Sequence, residues 1–365
     1  MRIAGADLYR YSLPLTGPLM LKGATLRRRE GLLLRLTGED GAVGWGETSP
    51  LPGFSRESLG AALGELRRLA AAMVGRDMED AWTRADGTLA RELDDTNPAP
   101  SVRFGLEAAA WNLYAAASEV TLPELVSASP RDIVSVNGLL AGPRAEVLQE
   151  ARRMQDAGYE AIKLKVGGLS VEEDISLVRE VRSVIGESVS LRLDANRAWD
   201  FEEVLRFARG VEGVGIEYIE EPLADPDGLK EFASVCGIPV ALDESLAGMA
   251  PEMLVEHGYA GAVVIKPTLL GGISQALRMA SRAREIGARP VISSAYETGV
   301  GTAALVALTA GIGETPAGLD TYRRLAEDVV ERRLPLPAPR LDVRDAVTRG
   351  RGVVYWRISR VEPPR

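Results

Sequence analysis

From about residue 133 the chain settles into a strict alternation, and that alternation limits its fold more than any other feature. Short apolar runs recur as "IVSVNGLL", "AIKLKV", "SLRLDA", "IEYIEEP", "PVALDES", "AVVIKPT", "PVISSAY" and "TPAGLD", with amphipathic stretches between them. Ala145–Ala157 gathers Val147, Leu148, Ala151 and Met154 on one helical face and stops at Gly158. Ser170 with Glu173, and Asp200 with Glu203, have the spacing of capping boxes, and Ser274 is expected to cap a helix ending at Gly287. Eight strands alternating with helices imply parallel βαβ units. A closed barrel is the economical arrangement, with active-site groups at the C-terminal strand ends. An open doubly wound sheet is the alternative, but "GLLAGPR" after the first strand is no glycine-rich phosphate loop.

Residues 1–125 read differently, as an α+β domain. "EGLLLRLTGEDGAVGWGE" has the form of a hairpin turning at Gly38 to Gly41. Helical spacing follows over about 56–74 and 101–117, with "ELDDTNPAPS" expected as a loop between them. The barrel is expected over 126–320, and the Arg- and Pro-rich residues 321–365 are expected to return to the first domain.

Composition removes several function classes. A net charge of −9 argues against sequence-independent nucleic-acid binding. No apolar run approaches the ~20 residues that span a bilayer, and "MRIAGADLYRYSLPL" lacks a signal-peptide core. Cys236 is the sole cysteine, so no intrachain disulfide forms, and a cytoplasmic location is expected. His257, the sole histidine, precedes a glycine and is expected at a helix C-terminus. Acid–base chemistry therefore falls to Lys, Asp, Glu or Tyr. The sequence sets no oligomeric state.

Charged residues sit where barrel strands should end. Lys163 and Lys165 close the second strand, Asp194 the third, Glu220 or Glu221 the fourth, Asp243 the fifth and Lys266 the sixth, at intervals of 23 to 31 residues. Alternation puts Lys163 and Lys165 on one face and Ile162, Leu164 and Val166 on the other. The same parity turns Asp194, Asp243 and Lys266 inward and sends Leu193, Leu242 and Ile265 toward the helices. Three converging carboxylates repel unless a cation stands among them, and a donor set without His or Cys suits Mg²⁺, with Mn²⁺ a substitute. A lysine beside other cations is easier to deprotonate, so Lys165 is a candidate base, with Lys266 across the substrate.

These residues, with "GWGETSPLPGFSRES", "LRLDANRAW", "DESL", "VVIKPTL", "VISSAYETGVG" and "GLDTY", resemble the enolase superfamily, in its muconate-cycloisomerase-like subgroup. Within it the nearest likeness is to the o-succinylbenzoate synthase family of menaquinone biosynthesis. The resemblance implies a modified TIM barrel, (β/α)7β, under an N-terminal α+β capping domain. It implies a small carboxylate substrate, 2-succinyl-6-hydroxy-2,4-cyclohexadiene-1-carboxylate, dehydrated to 2-succinylbenzoate. Lys165 would be the base, Lys163 its support and Lys266 a fixed positive charge. Asp194, Glu220 and Asp243 would hold Mg²⁺, backed by Arg192, Asn196 and Glu221. Ser293 and the backbone near Gly318 would hold the succinyl tail, and "PLPGFS" and "LKGATLRRRE" would close over it. "AYETG" departs from the more Ser-rich forms of its motif. An N-succinylamino-acid racemase or dipeptide epimerase on the same fold is the alternative, because those reactions also need a lysine on each face of the α-carbon.

Overall fold

The computed structural model describes residues 1–21, 24–313 and 315–362. The N-terminal domain is built on an antiparallel meander of β1 (Ile3–Leu21), β2 (Ala24–Gly38) and β3 (Val43–Thr48). The second hairpin turns where the sequence placed it, with the Gly41 amide donating to the Gly38 carbonyl at 3.0 Å. β1 carries Gly5, Pro14, Gly17 and Pro18, residues that weaken strands and mark irregular pairing. Its register to β2 accordingly slips between Pro14 and Leu19, and nothing in its composition announced a 19-residue strand.

β2 is apolar on both faces because both are covered. Leu32, Leu34 and Leu36 join the main core, while Leu33 packs with Tyr9, Tyr11 and Val300. Three helices follow: α1 (Leu59–Met73), α2 (Thr88–Thr96) and α3 (Pro100–Ala117). α3 lies directly on β3: a Cβ built at Gly46 would stand 1.9 Å from the Gly105 carbonyl oxygen, so only glycine permits the approach. The expected loop "ELDDTNPAPS" is mostly helix, its last two residues opening α3. Its first five residues complete α2, whose buried face (Leu89, Ala90, Leu93) lies mostly upstream, and Asn97 ends it at φ 42°.

After α4 (Leu122–Val126), the second domain begins with β4 (Ile133–Ser135) and β5 (Gly138–Leu140). The parallel sheet continues through β6 (Ala161–Lys165), β7 (Ser190–Asp194), β8 (Ile216–Glu220), β9 (Val240–Leu242), β10 (Ala260–Ile265) and β11 (Arg289–Ile292). Helices α5 (Arg144–Asp156), α6 (Val171–Ile185), α7 (Phe201–Gly210) and α8 (Leu229–Val235) cross between the early strands; α9 (Pro267–Leu270), α10 (Gly272–Glu285) and α11 (Gly299–Ile312) serve the last ones. The eighth stave is reduced to bridges. The amides of Ala317 and Asn137 exchange bonds with the carbonyls of Ser135 and Ala317, at 2.8 and 2.9 Å. On the other side, Gly318 donates to Ile292 and Ser294 donates to Gly318. The sheet thus closes into a modified (β/α)7β barrel.

Both capping boxes form, at Ser170 and Asp200. Ser274 does not cap α10: it sits inside the first turn and turns its hydroxyl to the Glu107 carboxylate of α3. His257 ends a short 3-10 helix (Pro251–His257), and its Nδ1 lies 3.0 Å from the Tyr259 hydroxyl. Of the last elements, β12 (Arg340–Asp342) pairs with β4 of the second domain, α12 (Val343–Arg351) follows, and only β13 (Ser359–Arg360) adds to β1 of the first. Among the described residues, no helix is long and apolar enough to cross a membrane.

Candidate active site

Strand parity sorts the barrel as alternation requires. Tyr218, Ala241, Ala262, Val264 and Val291 fill the interior, whereas Leu193, Leu242 and Ile265 join the core under the helices. Register does the rest. Lys165 pairs with Asp194 across β6 and β7, and Asp194 with Glu220 across β7 and β8. Asp243 follows β9 and Lys266 follows β10. The functional side chains therefore gather at the C-terminal mouth.

The lysines lie directly on the acids. Lys163 Nζ is 3.0 Å from Glu220 Oε2 and 3.1 Å from Asp194 Oδ2. Lys165 Nζ donates to Asp194 Oδ2 at 2.6 Å and to Asn196 Oδ1 at 2.5 Å, and Lys266 donates to Asp243. Asp194 and Glu220 are fully buried, and Asp243 nearly so.

Burial and crowding perturb Glu220, Asp194, Lys163 and Lys266. Burial, then repulsion from Asp194 and Asp243, pushes the Glu220 carboxyl up to about 8 despite Lys163. Burial also acts to raise Asp194, but Lys163 and Lys165 overcome it and hold Asp194 well below the usual carboxylate range. Burial alone would lower Lys163 and Lys266; the facing carboxylates outweigh it and hold both ammonium groups firmly charged.

Among the described residues, no three His, Cys, Asp or Glu side chains already surround one point, because the ammonium groups stand between the acids. The donor chemistry nevertheless fits a hard divalent cation: buried carboxylates only, crowded closely enough that burial and their mutual repulsion lift Glu220.

Supporting groups surround the acids. Glu221, at φ 41°, turns its carboxylate away from Glu220. It accepts from the amides of Asp243 and Ser245, at 2.9 and 2.7 Å, and from Arg197 Nε at 2.9 Å. Asn196, at φ 44°, bonds Lys165 through Oδ1 and Glu244 through Nδ2. Left-handed backbone at two non-glycine positions is strain concentrated beside the acids. Arg192 lies one layer below Asp194. It reaches Glu217, Asn137 and the Pro316 carbonyl, at 2.8 to 2.9 Å, and braces the barrel interior there.

Above the acids opens a cavity of about 540 Å³. Lys163, Lys165, Asp194, Asn196 and Lys266 line its floor, with Ser293 and Gly318 on one wall. Ser293 and Gly318 are bridged, and a Cβ at Gly318 would stand 2.6 Å from Ser293 Oγ. The first domain supplies Leu19, Met20 and Leu21 from β1, and Leu51 and Phe54 from the "PLPGFS" loop. "LKGATLRRRE" runs into β2, and its Lys22 and Gly23 lie outside the described residues.

Residues 146–355 match the family model "Enolase C-terminal domain-like", and residues 3–113 match "MenC, N-terminal domain". An o-succinylbenzoate synthase from Enterobacter sp. (strain 638) is 33% identical over 93% of this chain and 97% of its own. The chain belongs to the o-succinylbenzoate synthase family of the enolase superfamily.

The family match extends to a plant protein. Protein PHYLLO, chloroplastic, from Arabidopsis thaliana is 36% identical over 84% of this chain, which spans 20% of that larger protein's length. Solved relatives share the architecture. Muconate lactonizing enzyme from Pseudomonas fluorescens superposes with TM-score 0.80 at 25% identity, covering 94% of both chains. A dipeptide epimerase from Methylococcus capsulatus, complexed with Mg ion, gives 0.78 at 28% identity over 94% of this chain and 97% of its own.

Sequence reasoning passed over several cavity residues. Asn137, Leu269, Tyr296, Thr321 and Arg324 all line the pocket. Tyr296 and Arg324 stood within quoted motifs or just beyond them. Their signal was position, within six residues of a barrel strand end, and no pattern of residue types marked them.

Proposed function

We propose that this chain is an o-succinylbenzoate synthase, dehydrating 2-succinyl-6-hydroxy-2,4-cyclohexadiene-1-carboxylate to 2-succinylbenzoate and water in menaquinone biosynthesis. One observation carries the reading. Lys165 and Lys266 rise from staves four apart in the barrel, hence from opposite walls, and both line the same cavity above buried strand-end acids.

Lys165 takes the proton from the ring carbon bearing the carboxylate. Asn196 Oδ1, 2.5 Å from Nζ, fixes where that amine points. Lys266 sets positive charge against the opposite face of the ring, where negative charge develops. Lys165 then returns the proton to the departing hydroxyl: the C–H and C–O bonds break, water leaves, and the electron pair completes the aromatic ring. Lys163 holds Asp194 and Glu220 together from below. Asp194, Glu220 and Asp243 would hold Mg²⁺, with Mn²⁺ as a substitute, which would supply Lewis-acid stabilisation of negative charge on the substrate carboxylate. Glu221 and Asn196 fix the surrounding loops, and Arg192 braces the layer beneath. Ser293 and the Gly318 backbone hold the succinyl tail, while Leu19, Met20, Leu51 and Phe54 keep water out.

In this reading residues 1–125 close over the substrate, 126–320 do the chemistry, and 321–365 join the two. The partner is a small carboxylate in the cytoplasm, and neither nucleic acid nor a membrane is involved.

The paired lysines also suit proton exchange on the two faces of an N-succinyl amino acid. The test offers one purified sample the cyclohexadiene acid and, separately, N-succinyl amino acids. Growth of the aromatic product's ultraviolet absorbance is expected. Racemisation without aromatisation would overturn the assignment.

A further inference from the structure

Charge accounting around the cavity leaves one cation over. Lys163 pairs with Asp194 and Glu220, Lys165 with Asp194, and Lys266 with Asp243. Arg323 pairs with Glu150 at 2.9 Å and Asp320 at 3.2 Å. Arg324 lines the same cavity, and among the described residues it has no carboxylate partner. One Nη donates to the Pro18 carbonyl at 3.2 Å, while its Nε is buried without a hydrogen-bond partner. A buried guanidinium N–H left unpaired is costly, and a native site that keeps one calls for an explanation.

The position is built rather than incidental. Arg324 closes the short helix Asp320–Arg324, which directly follows the Ala317–Gly318 stave. Its neighbours pin it to the cap: Leu15 bridges Leu325, and the Ala326 amide donates to the Pro14 carbonyl at 2.9 Å. Tyr296 stands on this side of the cavity. Burial raises its phenol, and Arg324 is the largest influence in the other direction, ahead of Lys266 and Lys163.

We propose that Arg324 is the specificity residue for a second, distal carboxylate of the substrate. The floor, already charged by lysines and acids, takes the carboxylate at the reacting carbon. The guanidinium at the wall takes an anionic group at the end of a flexible tail through the Nη that Pro18 does not engage, a charge-assisted hydrogen bond from a group that is always charged. The inference rests on the proposed function and adds to it the residue that reads the tail's charge.

The test uses two ligands differing only at the tail end: 2-succinylbenzoate and 2-butanoylbenzoate, whose terminal methyl replaces the carboxylate. Their Kd values are measured by calorimetry on the intact protein with Mg²⁺, for the natural chain, Arg324→Met and Arg324→Lys. In the natural chain the carboxylated ligand is expected to bind roughly 10- to 100-fold more tightly, the range for one charge-assisted hydrogen bond. Arg324→Met should bring that ratio close to one, and Arg324→Lys should keep part of it. Turnover of the cyclohexadiene acid should show the Arg324→Met loss mainly in KM. An equal ratio in the natural chain and Arg324→Met, or in the natural chain and Arg324→Lys should Arg324→Met not fold, would overturn the assignment. Discrimination without dehydration would instead overturn the proposed reaction and leave this subsite standing.

Discussion

Glu47→Ala should loosen the seam between the two domains and be felt at the cavity. Glu47 is fully buried in β3, and its carboxylate enters the N-terminus of α11. It accepts from the amides of Thr298 and Gly301 at 3.0 Å each, from Thr298 Oγ1 at 2.5 Å and from the Tyr11 hydroxyl at 2.6 Å. The two hydroxyls can rotate to other acceptors, but the two amides cannot move. Leaving them unsatisfied costs about 1–3 kcal/mol each, and the lost charge at a helix N-terminus adds roughly 0.5–1 kcal/mol. The total is roughly 2.5–7 kcal/mol, or a fall in Tm of roughly 3–9 °C for a chain of 365 residues. Glu47→Gln, which keeps one acceptor, should lose less. Glu30→Ala is the control, since its pairing with Arg10 is half exposed and worth ~0–1 kcal/mol. Differential scanning fluorimetry reads all three. Because α11 begins just after the cavity wall at Ser293 to Tyr296, KM should also rise for Glu47→Ala. A Glu47→Ala protein melting within 1–2 °C of the natural chain would refute the reasoning.

Lys165→Ala should remove at least ~10²–10⁴ of kcat, the span of general acid–base assistance, with circular dichroism unchanged because Lys163 still covers Asp194. Lys266→Ala should abolish turnover and also lower stability, since Asp243 loses its ammonium partner; full turnover in either variant would contradict the assigned roles. Treatment with EDTA should end activity, and Mg²⁺ or Mn²⁺ should restore it; turnover after exhaustive chelation would remove the carboxylates from their assigned task. Asp328 carries a pH signature. Burial, with Glu47 nearby, raises its carboxyl even though Tyr322 and the amides of Gly299 and Val329 bond to it. A raised carboxyl means that the folded chain binds the proton more tightly than the unfolded one. Its stabilising contribution is therefore greatest below the ordinary carboxyl range and falls as pH rises through the raised value. In urea titrations the stability gap between the natural chain and Asp328→Asn should shrink over that interval; a widening gap would show the sign to be wrong.

Barrel strands were legible because the buried runs are bounded by turn residues and the second to the sixth end on a charge. A charge at a fixed place in an apolar run is a rare and costly choice, so Lys163, Lys165, Asp194, Asp243 and Lys266 stood out. Glu220 and Glu221 could not be separated by residue type. The turn at φ 41° on Glu221 separates them by sending its carboxylate to the Asp243 and Ser245 amides, and no local pattern encodes that turn. β1 was hidden by its prolines and glycines, and α2 by a polar tail that belongs to an amphipathic helix. Ser274 had the right residue type for a cap, but Glu107 on α3, 167 positions away in the chain, claims its hydroxyl. Contacts of that range decide side-chain fate and leave no trace in neighbouring residues. Arg324 was invisible for the converse reason: its importance lies in a partner it lacks.

The pocket's roof and its floor come from different halves of the chain. Leu19, Met20, Leu51 and Phe54 descend from the first domain, while Lys165 and Lys266, the groups proposed to act on the substrate, stand at barrel strand ends. In the proposed reaction, the apolar part of the wall that meets the substrate and the groups that break its bonds thus lie on stretches of sequence free to change separately. A new roof would retarget the same lysines without disturbing one carboxylate beneath them, and a single scaffold of this kind can serve several chemistries in turn.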